Sequence, residues 1–139
     1  MPAVIDSNVI YSGLYSRKGA SNKILGFVAD GIVTPALSVG LYEEYCDVLA
    51  RKPLADELEA TEREEFLDFF CSAANLTEIY FMWRPCLNDP KDDLVLELAV
   101  ASGSPYILTF NTKDFGPAKK FGVEPITPVV YLNQKLYKQ

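Results

Sequence analysis

The sequence contains no histidine, which removes Ser-His-Asp and Cys-His nucleophile systems, histidine general bases and every His-containing zinc site. Cys46, Cys71 and Cys86 are odd in number and widely spaced, without a C-x-x-C pair. That pattern speaks against a disulfide framework or a structural zinc site, and the thiols are read as reduced, with Cys46 and Cys71 facing the core. Chemistry therefore falls to carboxylates. Asp6 follows the apolar run Ala3-Val4-Ile5, Asp93 opens the apolar stretch Leu94 to Ala101, and Asn111 with Asp114 comes directly after Tyr106-Ile107-Leu108-Thr109. Any one of these acids could simply cap a helix or a turn. Brought together with poor solvation, carboxylates repel, raise one another's pKa and cost several kcal/mol unless something positive intervenes. Mg²⁺ or Mn²⁺ suits such a site: these hard ions accept oxygen ligands, retain waters, and can activate a water or stabilise a leaving phosphate oxygen.

The elements that would hold these acids can be traced in order. Ala3 to Ile5 has the small and β-branched residues of a strand covered on both faces, and Ser7-Asn8 leads into a helix from Asn8 to Tyr15. Ser21 is the expected N-cap of a helix over Asn22 to Ala29, which stops at Asp30-Gly31, and Ile32 to Thr34 is the expected second strand. A third helix starts at Ser38, carries one apolar stripe through Leu49, and closes at Arg51-Lys52-Pro53. Thr61-Glu62-Arg63-Glu64 matches a capping box for a helix to about Ala74, and Leu76 to Phe81 alternates as a strand. Trp83 to Pro90 is expected as loop, with Asp92 capping a buried helix from Asp93 to Ser102 that ends at Gly103. In that helix Asp93 and Glu97 share a face. Tyr106 to Thr109 and Val123 to Ile126 are further strands, and Thr127-Pro128 starts a C-terminal helix running through Tyr137. In an open parallel sheet the ligand crevice lies beyond the carboxyl ends of the strands, so Asp6, Asp93 and Asn111 with Asp114 are expected at one rim.

This alternation predicts an α/β fold in three layers, with a central parallel sheet of four to five strands between helices. The 139 residues are read as a single domain, and 49% hydrophobic with 23% charged content is ordinary for a folded protein. No apolar run approaches the roughly 18 residues of a membrane helix, and no basic region or cleavage site precedes Asp6, so a cytoplasmic protein is expected. Nineteen acids against thirteen bases give a net charge of −6. That balance weighs against nonspecific capture of nucleic acid by a broad basic face and is compatible with an acid-lined metal site.

The segments V-I-D-S-N-V-I, S-V-G-L-Y-E-E-Y-C-D-V-L, N-D-P-K-D-D-L-V-L-E-L-A and I-L-T-F-N-T-K-D-F occur in that order. Together they resemble the PIN domain over nearly the whole chain, and are especially similar to its nuclease toxins of toxin-antitoxin systems. The resemblance implies a ribonuclease whose acids hold Mg²⁺ or Mn²⁺ on RNA. It puts the first acid at Asp6, with Asn8 beside it as a support or substrate contact, and a second at Glu44. Glu43 competes, although helical periodicity turns Glu44 slightly nearer the edge of the apolar stripe. The helix-start acid falls at Asp93, with Asp92 as its cap. At the fourth position many relatives carry an acid two residues after the threonine, where this chain has Asn111. Either Asp114 contributes or the site holds a single ion, while Thr109 could orient the rim by hydrogen bonding.

Two other functions are compatible with the same residues. An aspartyl-phosphate hydrolase also begins with a strand-end Asp, but generally wants a second acid where this chain has Asn8. A degenerate domain that only binds RNA or a partner would account for Asn111. Arg17, Lys18 and Lys113 are the cations expected to position RNA phosphates near the rim. Apolar side chains on Phe66 to Phe70 and on the helix from Asn8 to Tyr15 suggest a homodimer face or a groove for an antitoxin protein.

Overall fold

The computed structural model describes residues 1–79, 87 and 89–137. Among them a five-stranded sheet, parallel throughout, is ordered β3-β2-β1-β4-β5. Its strands are β1 (Pro2–Ile5), β2 (Thr34–Leu37), β3 (Asn75–Leu76), β4 (Tyr106–Leu108) and β5 (Glu124–Ile126). Flanking helices are α1 (Ser7–Tyr15), α2 (Ala20–Ala29), α3 (Val39–Leu49), α4 (Leu54–Glu57), α5 (Ala60–Ala73), α6 (Pro90–Ser102) and α7 (Pro128–Tyr131). This is the expected PIN-like α/β fold. No helix among the described residues is long and apolar enough to cross a membrane.

β1 is central because Ala3, Val4 and Ile5 are fully buried, as a strand covered on both faces must be. Val4 and Ile5 pair with Ile107 and Leu108, and the Asp6 N–H extends the ladder by donating to Leu108 O at 2.9 Å. The carboxyl ends of β1, β2 and β4 thereby share one rim, where the chain continues into Asp6, Ser38 and Thr109. The hydroxyl of Tyr45, itself wholly buried on α3, donates to Ile5 O just before Asp6. Tyr45 also meets Phe70 of α5 edge-on at 5.4 Å. Phe70 and Leu67 are thus core residues, Phe66 packs on Phe70 at 5.9 Å, and Phe69 is the exposed member of that aromatic group.

Several local expectations are displaced. β2 starts at Thr34 because Ile32 and Val33 both donate to Phe27 O, at 3.0 and 3.2 Å, and so close the end of α2 instead of pairing in the sheet. Gly19, not Ser21, caps α2, and Ser21 is buried inside its first turn. α5 is capped at Glu59, two residues before the expected Thr61, with Glu59 N donating to Glu62 Oε1 at 3.2 Å. Asp89, not Asp92, caps α6: its Oδ1 accepts from Lys91 N at 2.9 Å, and Pro90 occupies the first helical position. Proline is suited there because its missing N–H is not needed and its φ is already helical. Cys46 is exposed, one position and about 100° around α3 from the buried Tyr45, and Cys71 is half-buried. The C-terminal helix continues past α7 as a wider π turn over Leu132–Leu136. Of the strand expected over Leu76 to Phe81, Leu76 alone belongs to a strand among the described residues, while Tyr80, Phe81, Cys86 and most of the loop expected from Trp83 to Pro90 lie outside them.

Candidate active site

Asp6 is both helix cap and rim acid. As the chain leaves β1, Asp6 Oδ1 accepts from Ser7 N at 2.8 Å and Oδ2 accepts from the hydroxyl of Thr109, also at 2.8 Å. Thr109 is fully buried and its Oγ1 receives the Asn111 N–H at 3.0 Å, so one chain of hydrogen bonds ties β1 to the turn after β4. Burial pushes the Asp6 carboxyl above the usual range, the bonds from Thr109 and Ser7 pull it down, and the charges of Glu44 and Asp89 push it up again.

Two helices bring the other acids to it. α3 starts at Ser38, whose Oγ accepts from Leu41 N at 3.2 Å. Gly40 lets α3 lie close to α6, since a Cβ there would meet Leu94 Cδ2 at 2.9 Å. Glu44 is only 17% exposed and pairs with Lys91 Nζ at 3.4 Å, whereas Glu43 is exposed. A recess of about 240 Å³ results, lined by Asp6, Asn8, Glu44, Asp89, Asp92 and Asn111 together with Arg51 and Lys91. The Asn8 Oδ1 atom is buried and without a hydrogen-bond partner.

Asp93 does not line this recess. It is buried on α6, and its Oδ1 accepts from Leu87 N at 3.0 Å. Asp92 lines the recess in its place, with its carboxyl raised to about 6 by burial first, then by Asp6, Asp89, Asp114 and Asp93. Asp114 is exposed at the start of the 3-10 segment Thr112–Phe121, its N–H donating to Asn111 O at 3.0 Å. Lys113 lines a separate concavity with Lys119 and Gln134, and Arg17 and Lys18 stand exposed in the loop after α1. Sequence reasoning missed Asp89, Asp92, Arg51 and Lys91 as residues of the recess. The Asp89-Pro90 pair was the available signal, since a cap at Asp89 moves Asp92 into the first helical turn.

The donors around the recess are carboxylate and amide oxygens, the chemistry a hard divalent cation requires. Crowded acids, one of them with its carboxyl raised to about 6, fit such a cation. Among the described residues no three Asp, Glu or Cys side chains are drawn together as a finished cage. In the metal-free protein the crowding has a pH signature. Folded Asp92 keeps a proton that the unfolded chain releases above about 3.8, so this group's effect on stability turns unfavourable between about 3.8 and about 6 and is constant above. The gain in Tm of Asp92→Asn over wild type, measured in EDTA, is therefore expected to grow across that window. A pH-independent difference would show that Asp92 is not held in this way.

The model of the PIN domain family matches residues 2–113, from the first residue of β1 to the turn that carries Asn111. Comparisons with curated proteins and with solved structures each returned no match. The matched span includes Asp6, Glu44, Asp92 and Asn111, and the chain belongs to the PIN domain family, a family of nucleases that generally bind divalent metals.

Proposed function

We propose that this protein is a Mg²⁺- or Mn²⁺-dependent endoribonuclease, working in the acid-lined recess as the toxin of a toxin-antitoxin pair. The observation that carries the catalytic reading is the buried Asp6, held from two sides and crowded by Asp92, Glu44 and Asp89 at the carboxyl rim of the sheet. The toxin role rests on the motif resemblance.

Asp6, Glu44 and Asp92 are the residues that would hold the cation, with Asn111 or Asp114 approaching from the turn after β4. The helix-start role moves from Asp93 to Asp92 because Asp92 lines the recess. A bound Mg²⁺ or Mn²⁺ supplies positive charge against the scissile phosphate and makes a water more acidic. The chain's own part is positioning. Thr109 and Ser7 N fix both oxygens of Asp6, leaving their remaining lone pairs aimed without rotation. Lys91 balances Glu44 until a cation or a phosphate replaces that partly exposed pair. Asp92 gives up its proton when positive charge arrives, so cation affinity should rise with pH through about 6. Asn8, which lines the recess beside Asp6, supports that acid or contacts substrate.

Incubation of a mixed RNA pool with Mg²⁺, Mn²⁺ or EDTA tests this reading, followed by mapping of the new ends. Hydrolysis by water is expected to give fragments with either metal and none in EDTA. Cleavage that persists in EDTA, or ends formed by attack of the ribose 2′-hydroxyl, would overturn it. Phosphate trapped on Asp6 would favour the aspartyl-phosphate alternative.

A further inference from the structure

The recess continues into a second concavity of about 400 Å³ between α1 and the end of α3. The two share Ser7, Asn8, Glu44 and Arg51, and the outer part adds Tyr11, Val48 and Lys52. Each wall has a distinct chemistry. Tyr11 is held in place because its hydroxyl accepts from Leu54 N at 3.0 Å, and its ring stacks on Tyr15 at 6.2 Å and 28°. With Val48 opposite, the ring makes a fixed apolar flank. Arg51 and Lys52 stand at the mouth, with side chains 56% and 80% exposed. Their partners, Asp47 at 2.8 Å and Asp56 at 3.7 Å, are surface neighbours four residues away in the chain. Exposed pairs of this kind contribute little, so a phosphate can displace either acid at small cost.

We infer that this groove is a subsite for a nucleotide of single-stranded nucleic acid flanking the scissile phosphate. Arg51 and Lys52 hold its phosphate, and Tyr11 and Val48 pack against the sugar and base. An apolar flank and cations at one mouth match the mixed surface of an unstacked nucleotide, whose base face and backbone phosphate are both free to be contacted. The inference rests on the nuclease reading of the adjoining recess. It also gives a chain of net charge −6 a local place to accept phosphate, close to the acids instead of on the distant loop of Arg17 and Lys18.

The test is binding of a fluorescein-labelled oligouridylate in EDTA, read by anisotropy over a range of salt. Wild type, Arg51→Gln/Lys52→Gln and Arg17→Gln/Lys18→Gln are compared, the two variants carrying the same change in net charge. The groove variant is expected to bind about tenfold more weakly, and its slope of log affinity against log salt to fall by about 1.4, two phosphate contacts at roughly 0.7 each. The loop variant is expected to stay within about twofold of wild type. Equal effects of the two variants, absence of wild-type binding, or a preference for duplex would each overturn the subsite. Cleavage of the same RNA by wild type with Mg²⁺ or Mn²⁺ is scored separately. Cleavage with groove-variant binding unchanged sinks the subsite alone; selective loss of binding without cleavage under any cation supports the subsite and sinks the nuclease.

Discussion

Asp6→Asn is expected to lower RNA cleavage by roughly a thousandfold or more while the protein stays folded and becomes no less stable without metal. The substitution keeps the shape of the side chain. An amide oxygen can still accept from Ser7 N, and the Thr109 hydroxyl can rotate to accept from the new amide nitrogen. What disappears is a negative charge that burial, Glu44 and Asp89 all disfavour. Removing it should relieve repulsion in the metal-free protein and, on the proposed site, deprive the cation of a ligand. Two measurements check this beside the cleavage rate. The rise in Tm on adding Mn²⁺ should disappear, since a ligand stabilises the folded state only as far as it binds, and the growth arrest that the proposed toxin role predicts for the wild-type chain should be absent with the variant. Near wild-type cleavage at saturating Mn²⁺ would remove Asp6 from the site.

Asp6 was legible in the sequence because the run before it is short, apolar and β-branched, and a central strand of a parallel sheet imposes that composition directly. The fold class followed from the same logic applied to Tyr106 to Leu108 and to the spacing of the helices. Other features depend on contacts made at a distance. Ile32 and Val33 have strand-like side chains, yet their N–H groups are taken by Phe27 O, a choice set by how α2 closes. The coarse order of elements pointed to Arg17 and Lys18, in the loop after the first helix, as phosphate contacts. The cations that line the recess, Arg51 and Lys91, are far from Asp6 in the chain and reach it only because α3 and α6 both lean on β1's rim. The start of α6 was misplaced for a different reason. The apolar periodicity begins at Leu94, but capping is a backbone matter and had already been completed at Asp89-Pro90, before any buried side chain.

That shift of the helix start separates two adjacent acids and yields a sharp contrast between them. Asp92→Asn is expected to cost about a hundredfold or more in cleavage and to raise metal-free Tm near neutral pH, because the carboxyl it replaces is crowded by Asp6, Asp89 and Asp114. Asp93→Ala is expected to act on the fold instead. It removes the acceptor of the buried Leu87 N–H, a loss of about 1.5–3 kcal/mol for a hydrogen bond to a charged group, and any fall in cleavage should track the fall in stability. Asp93→Asn decides whether the acid is structural or a ligand, since its amide oxygen can still serve Leu87 N but carries no charge for a cation. If Asp93 only holds the chain before α6, this variant keeps most of the stability and most of the cleavage of wild type. If it is instead a metal ligand, cleavage collapses with Tm preserved, the Mn²⁺-dependent rise in Tm shrinks as in Asp6→Asn, and the catalytic role returns from Asp92 to Asp93.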